Sequence, residues 1–467
     1  MTEEVTTTDD IYGGPTKRFF VSMLTRDIEL ADAILDLVDN CVDGAMRQRR
    51  GHLEEDAPYQ GYHAHLTLNE KEFKITDNCG GIPDDFIEDA FSLGRPNIKK
   101  DGDLPTIGMY GIGMKRAIFK IGEEASVNSN SADGNFQVVY TSKWLDPDNP
   151  DWDLPIRKAA PSDGTQGVEI SIPALKSHIA ASFANDAFQS DIRRILAEHF
   201  GYIIQKGFQV RVNGDILKPK TLPLLVAKEA EGESIRAFDY EGEICGVGIK
   251  VTVGFFRGLA TEADIDRELE GTNVHETAGI SVVCNDRVIL LNDRTMKTGW
   301  GDGGVPKYHS QFRSIAGLII FKSNEADALP LSTTKNAVDT SSEVYYTARK
   351  HCMTGIKTFT DFTNKWKGME NEATPYFRIA EKTDVKTKVS LARALGAKVR
   401  GEENSVKFTP ALPMPANKNP KRRISFVRTK DEVEAVSSHI FGEPDQEPRI
   451  VGEECFIRLL KEAKDER

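Results

Sequence analysis

Asp36, Asn40 and Asp43 are separated by four and three residues. On a helix that spacing throws the three side chains onto one strip. A carboxamide oxygen there can ligate a small hard cation, and a carboxylate one turn away can polarise a water beside it. The same strip also fits an ordinary amphipathic helix with an acidic solvent face. Downstream, Lys74-Ile75-Thr76-Asp77-Asn78-Cys79-Gly80-Gly81-Ile82 reads as a short strand ending in an acid and two glycines. An Asp at such a strand end can accept a hydrogen bond from an exocyclic amine, and the glycines let the backbone pass close to a flat ring. A third motif, Gly108-Met109-Tyr110-Gly111-Ile112-Gly113-Met114-Lys115, runs into helix-period Ala117, Ile118 and Ile121. Backbone N–H groups at such a helix start favour phosphate, and Lys115 adds a point charge. No Gly-Lys dipeptide occurs in the chain, which excludes the Walker phosphate loop. Gly111-Ile112-Gly113 is followed by Met-Lys-Arg, which excludes the dinucleotide fingerprint.

These motifs need elements to hold them. Leu30, Ala33, Ile34, Leu37, Val38, Cys41 and Ala45 recur at spacings of three and four, predicting a helix over 28–47 with one buried face. A helical stretch over 179–204 runs into a strand at 208–212 and the hairpin turn Asn213-Gly214. Further strand patterns fall at 248–253, 280–283 and 288–290. The last two flank a tight Asn285-Asp286 turn. From about residue 366 the chain is more polar. It carries the Pro-rich stretch 409–415 and then a basic cluster, Lys418, Lys421, Arg422, Arg423 and Arg428. The expected organisation is 1–174, 175–365, a linker region over 366–420, and a small module over 421–467.

The chain has 467 residues, and 60 Lys+Arg against 72 Asp+Glu give a formal net charge of −12. Its length suits two to four domains at roughly 100–200 residues each. No apolar run approaches the ~18 residues of a membrane span. The acidic, Thr-rich N-terminus fits no signal peptide. Six scattered cysteines without a CxxC pair argue against a disulfide framework or zinc site and favour a reducing cytoplasm. The acidic balance argues against a chain-wide nucleic-acid coat while leaving room for a local basic patch.

The polar helix strip, the Asp77 turn, the Gly108–Lys115 loop and Asp163-Gly164-Thr165 before a strand at 168–172 occur in that order. Together they resemble the GHKL ATPase superfamily of gyrase B, the ninety-kilodalton chaperone, sensor kinases and MutL, over about residues 15–175. The resemblance implies an α+β chain whose Bergerat-type α/β sandwich binds ATP with Mg2+. Asn40 would hold the Mg2+ and Asp77 would read the adenine amino group, with Thr165 assisting. Asp43, Gly81, Ile82 and Gly94 would join them at the nucleotide. Gly108, Tyr110, Gly111, Ile112, Gly113, Met114 and Lys115 would close over the phosphates, and the loop from Gly94 to Ile107, with Lys99 and Lys100, would be the lid. Asp36 would orient the attacking water. Family members that hydrolyse ATP usually carry Glu there, so the missing methylene leaves slow hydrolysis and mere ATP gating both open. Cys79 replaces the first glycine of the acidic turn and reads as a small hydrophobe rather than a redox sensor.

The hairpin over 279–289, followed by Leu329-Pro330-Leu331-Ser332-Thr333-Thr334-Lys335-Asn336 and a helix holding Val344, Tyr345 and Ala348, resembles the ribosomal-protein-like transducer domain of MutL, gyrase B and Microrchidia proteins. That implies a loop lysine reaching the γ-phosphate. Lys335 fits the role best, and Lys297 competes for it. The layout is most similar to prokaryotic Microrchidia-like ATP-binding proteins. The implied activity is a Mg2+-dependent, slowly hydrolysing ATP-gated clamp, closing as an ATP-dependent homodimer on DNA or a protein partner in antiviral defence. The alternative is an ATP-binding adaptor subunit with little or no hydrolysis. Tyr12-Gly13-Gly14-Pro15 is either a strap exchanged between protomers or a loose tail. The basic cluster is either a DNA contact or a solvated linker.

Overall fold

The computed structural model describes residues 16–26, 28–92, 94, 101–108, 111–161, 163–227, 233–261, 277–332, 335, 337–385, 390–415 and 426–465. The chain forms two compact units, Met1–Pro415 and Ala416–Arg467. The strap Tyr12–Pro15, Lys99, Lys100, Tyr110, and Lys418 to Arg423 of the basic cluster lie outside the described residues.

In the first unit, α1 (Lys17–Arg26) precedes α2 (Leu30–Gln48), the helix predicted from apolar spacing. Next come β1 (His63–Leu68), β2 (Phe73–Asp77), α3 (Ile87–Phe91), α4 (Gly113–Ile121), β3 (Gly122–Asn130), β4 (Asn135–Tyr140), β5 (Ile156–Ala159) and β6 (Gly167–Leu175). Three helices follow, α5 (Ser177–Phe183), α6 (Asp186–His199) and α7 (Gly201–Gln205), and lead into β7 (Gln209–Val212) and β8 (Asp215–Ile216). The strands form one sheet in the order β5-β4-β3-β6-β2-β1-β7-β8. Only β1–β7 is parallel. Alternation sorts its faces: Leu66, Ile75, Ile170, Val127 and Val138 join the core with α2 and α4. The intervening row His65, Thr76, Glu169, Asn128 and Gln137 stays partly exposed. This α/β sandwich runs past the expected boundary at 174, because parallel pairing to β1 brings β7 into its edge.

A second sheet uses β10 (Phe238–Ile244), β11 (Val247–Phe255), β12 (Gly279–Cys284), β13 (Arg287–Asp293) and β14 (Ile315–Lys322), after β9 (Pro223–Ala227). Its helix α8 (Glu343–Lys365) packs Ala348, Cys352, Ile356 and Phe359 into the sheet's core. The Asn285-Asp286 turn has φ of 46° and 72°, the left-handed pair a two-residue hairpin demands.

Residues 366–415 are not the linker their polarity suggested. They build α9 (Glu370–Arg378), β15 (Ala380–Asp384), α10 (Leu391–Leu395), β16 (Ala397–Lys398) and β17 (Val406–Phe408). β17 pairs with β10 and extends the second sheet, whose order is β13-β12-β14-β11-β10-β17-β16. β15 pairs with β9. These strands are only two to five residues long and their residues stay partly solvated or exposed, so no apolar alternation announces them. The Pro-rich stretch is pinned as well: the Trp366 indole donates to the Pro413 carbonyl at 3.0 Å. In the second unit, α11 (Lys430–Phe441) opens on a Thr429/Glu432 capping box and closes on Gly442 at φ 80°, before α12 (Pro448–Asp465). No helix among the described residues is long and apolar enough to cross a membrane.

The two sheets meet around α2. Ile107, which precedes the Gly108 motif, is buried in the second sheet's core. Arg287, at the start of β13, lies over Phe200 at 4.5 Å and beside His199, whose Nδ1 is 2.7 Å from its Nη1 and 2.6 Å from the Val288 carbonyl oxygen.

Replacing Ile107 by Ala is expected to lower stability by ~2–4 kcal/mol, and by Val by ~1 kcal/mol, read as a shift in denaturant midpoint. His199 supplies a pH signature. Burial and the neighbouring Arg287 charge push its pKa down to about 3. The folded value lies below the unfolded one, so between them the unfolded chain binds more protons. Stability is therefore whole above about pH 6.5 and falls as pH drops toward 3, at ~1.4 kcal/mol per unit. A His199→Gln variant should lose part of that slope in thermal melts across the window.

Candidate nucleotide site

α2 supplies the floor of a cleft lined also by β2, the Gly80-Gly81-Ile82 turn, the start of α4 and Lys335. Its residues face several environments. Asp36, Asp39 and Asp43 are buried, whereas Asn40 is exposed and lines the cleft. The amide of Asn40 has no protein hydrogen-bond partner among the described residues. Asp43 is spent on backbone: its carboxylate accepts from Ile107 N at 3.3 Å and Gly108 N at 3.2 Å. It thus fixes the start of the glycine motif to α2 rather than standing open to a ligand.

Asp77 sits where β2 ends. Its Oδ1 accepts from Cys79 N at 2.8 Å and Val168 N at 3.2 Å, which orients the carboxyl. Burial pushes its pKa above the ordinary carboxylate value, against the pull of those N–H groups and the Cys41 thiol. Close approach explains Gly81, which takes φ 71° and whose missing Cβ would lie 2.2 Å from the Asn130 carbonyl oxygen. Cys41 and Cys79 both line the cleft, and burial raises both thiols well above their usual value, leaving them protonated.

At the other end of the cleft, Gly113 opens α4 with its Cα side against Asp36, where a Cβ would meet Asp36 Cβ at 3.1 Å. Asp36 pairs with Arg116 of α4 and lies 3.3 Å from Lys335 Nζ. Lys335, at φ 54°, also contacts Asp39 at 3.1 Å, although 296 residues separate them. Asp39 in turn receives Arg287 Nε at 3.0 Å. Burial alone would raise the Asp39 carboxyl, but Lys335 and Arg287 outweigh it and hold the pKa below the usual value. Burial alone would lower Lys335, but Asp39, Asp36 and Asp43 raise it. Asp39 and Lys335 are therefore both charged.

Of the expected site residues, Asp36, Asn40, Asp43, Asp77, Gly81, Ile82, Gly108, Gly111, Ile112, Gly113, Met114, Lys115 and Lys335 line this cleft. Lys115, Thr165 and Gly94 have surroundings different from those expected. Lys115 turns its ammonium to the carbonyls of Ala90 at 2.8 Å and Ser92 at 2.6 Å, buttressing the end of α3. Thr165 is exposed outside the lining, and Asn130 Nδ2 holds its carbonyl oxygen at 3.1 Å. Gly94 is likewise outside the lining. Lys297, the competing lysine, does not line the cleft, and its carbonyl receives the Tyr345 hydroxyl at 2.9 Å beside α8. Sequence reasoning missed Asp39, Arg116 and Arg287. Asp39 carried a signal, since it stands one turn from both Asp36 and Asp43. The two arginines carried none.

No group of three or more His, Cys, Asp or Glu that could hold a metal occurs among the described residues. The donor set instead fits a Mg2+ carried by phosphate oxygens and touched by one protein amide, that of Asn40.

No curated protein matches the chain. Residues 28–169 match the family described as histidine kinase-, DNA gyrase B-, and HSP90-like ATPase. That span runs from the entry of α2 into β6 and holds the strip, the Asp77 turn and the glycine motif, so residues 28–169 are an ATP-binding domain of this family.

Proposed function

We propose that the protein is an ATP-driven conformational switch in which Lys335 reports the γ-phosphate to the second sheet. The observation that supports this most is the arrival of that lysine, from far along the chain, between two carboxylates at the phosphate end of the cleft. Asp77 accepts the adenine amino group while Gly81 and Ile82 flank the ring. The N–H groups at the start of α4 receive phosphate oxygens. Asn40 contributes its amide oxygen to Mg2+, and the ion would offset charge on the phosphates. When ATP binds, Lys335 exchanges its carboxylates for the γ-phosphate.

The same geometry supports a hydrolytic step. Asp36, released from Lys335 but still held by Arg116, orients a water toward the γ-phosphorus. Attack breaks the bond to the β–γ bridging oxygen and yields ADP and phosphate. An aspartate already engaged by an arginine is a weak water-orienting group, so turnover is slow, and the adaptor reading without hydrolysis rests on the same engagement. Closure as a homodimer on DNA or a protein partner, and a setting in bacterial defence, rest on the resemblance alone.

Asp77→Asn is expected to weaken ATP binding by ~10–100-fold, the loss of a hydrogen bond to a charged acceptor, measured calorimetrically with Mg2+. Asn40→Ala should abolish Mg2+-dependent phosphate release. Release by the wild type no faster than by Asn40→Ala would leave the adaptor reading standing.

A further inference from the structure

Two carboxylates and three cations meet beneath the phosphate end of the cleft. Asp36 has Arg116 and Lys335; Asp39 has Arg287 and Lys335. Each aspartate therefore keeps an arginine of its own if Lys335 departs. Neither arginine can leave on the same terms. Arg287 is 2% exposed, lies over Phe200, and donates to the Val288 carbonyl at 2.6 Å as well as to Asp39. Arg116 is 5% exposed and rooted in α4. Losing either would strand a buried carboxylate with one shared lysine, an expensive arrangement in a low-dielectric setting. Lys335 differs in kind. It comes from a loop, takes a left-handed backbone conformation that non-glycine residues seldom adopt, and reaches the cleft with a single compact charge on a flexible stem.

We infer that Asp39 is a positioning residue that sets the preference for ATP over ADP, by holding Lys335 on a seat from which only a γ-phosphate displaces it. Arg287 is the part that makes the seat reusable, because it keeps Asp39 compensated while the lysine is away. Ligands without a γ-phosphate leave Lys335 seated. The strength of the seat then subtracts from ATP affinity and leaves ADP affinity alone, so weakening it raises discrimination and strengthening it lowers discrimination. This rests on the proposed nucleotide switch and adds to it the residue that opposes the switch.

The test is a set of affinities for Mg2+-ADP and a Mg2+-bound non-hydrolysable ATP analogue, measured on the full chain. Asp39→Asn should raise the ATP:ADP affinity ratio by about tenfold in the presence of Lys335. In the Lys335→Ala background, where only the lost negative charge acts, it should change the ratio by less than about threefold. Arg287→Lys keeps the charge but loosens the grip on Asp39, throws more of Asp39's compensation onto Lys335, and should lower the ratio. This second variant carries the test if Asp39→Asn does not fold. A residue that merely glued the two sheets together would shift melting temperature and leave the ratio in place. A ratio unmoved by Asp39→Asn and Arg287→Lys, while Lys335→Ala lowers it, overturns the seat and spares the switch. A ratio unmoved by Lys335→Ala, or absence of binding to the wild type, overturns both.

Discussion

Two carboxylates one helical turn apart, 3% and 2% exposed, are costly to bury in a protein interior without cations placed against them. Asp36 and Asp39 impose that demand on α2, and much of the first unit is arranged to meet it. α4 must cross α2 closely enough for Arg116 to reach Asp36, which is why Gly113 allows no side chain there. The second sheet must lie against α2 so that β13 can present Arg287 and the loop after β14 can present Lys335. A helix whose apolar positions alone would bury one stripe is thereby buried on nearly every side.

The strip also divides its labour by position. Asp36 and Asp39 face cations, Asp43 faces backbone N–H groups, and Asn40 is the member of the four that is exposed in the cleft. A neutral amide can be left unpartnered and exposed at little cost, whereas a buried carboxylate cannot. The residue type that tolerates exposure without a partner is thus the one exposed in the cleft. The same logic governs Asp77, whose two N–H donors fix one oxygen and leave the carboxyl aimed by the backbone rather than by a side-chain cation.

Local chemistry was legible in the sequence and long-range pairing was not. The α2 stripe, the strand ending at Asp77 and the Asn285-Asp286 turn each depend on neighbours within a few residues, and each was read correctly. Arg287 and Lys335 lie 248 and 296 residues from Asp39, with nothing in spacing to join them. A lysine beside a glycine loop suggests phosphate; Lys115 lines the cleft, and its ammonium also reaches two carbonyls at the end of α3, contacts that spacing in the sequence does not announce. Thr165, expected from its motif before the strand at 168–172, lies outside the lining, and Gly167, whose Cβ would fall 2.0 Å from the Asp77 carbonyl oxygen, is the residue that lets β6 approach Asp77. Polarity hid 366–415, because strands of two to five residues whose side chains stay partly solvated show no apolar alternation.

The glycine motif is coupled to the second sheet by more than Lys335. Residues 104–108 are held on one side by Asp43, through the N–H groups of Ile107 and Gly108, and on the other by Asn285, whose amide donates to the Thr106 carbonyl at 3.4 Å and to the Ser323 carbonyl at 2.8 Å. Ile107 then buries its side chain in the second sheet's own core. Just upstream, Arg47 of α2 pairs with Asp101 at 3.1 Å, so both ends of the described segment answer to the same helix. A close-packed core responds to displacement by switching between arrangements rather than by stretching. A segment wedged between α2 and that core therefore cannot move by small degrees: displacing 104–108 means either pulling Ile107 from its site or carrying the hairpin that holds Asn285 along with it. That hairpin begins β13 at Arg287, which grips Asp39. The glycine motif and Lys335 are thus both tied to one short stretch of α2, between Asp36 and Asp43.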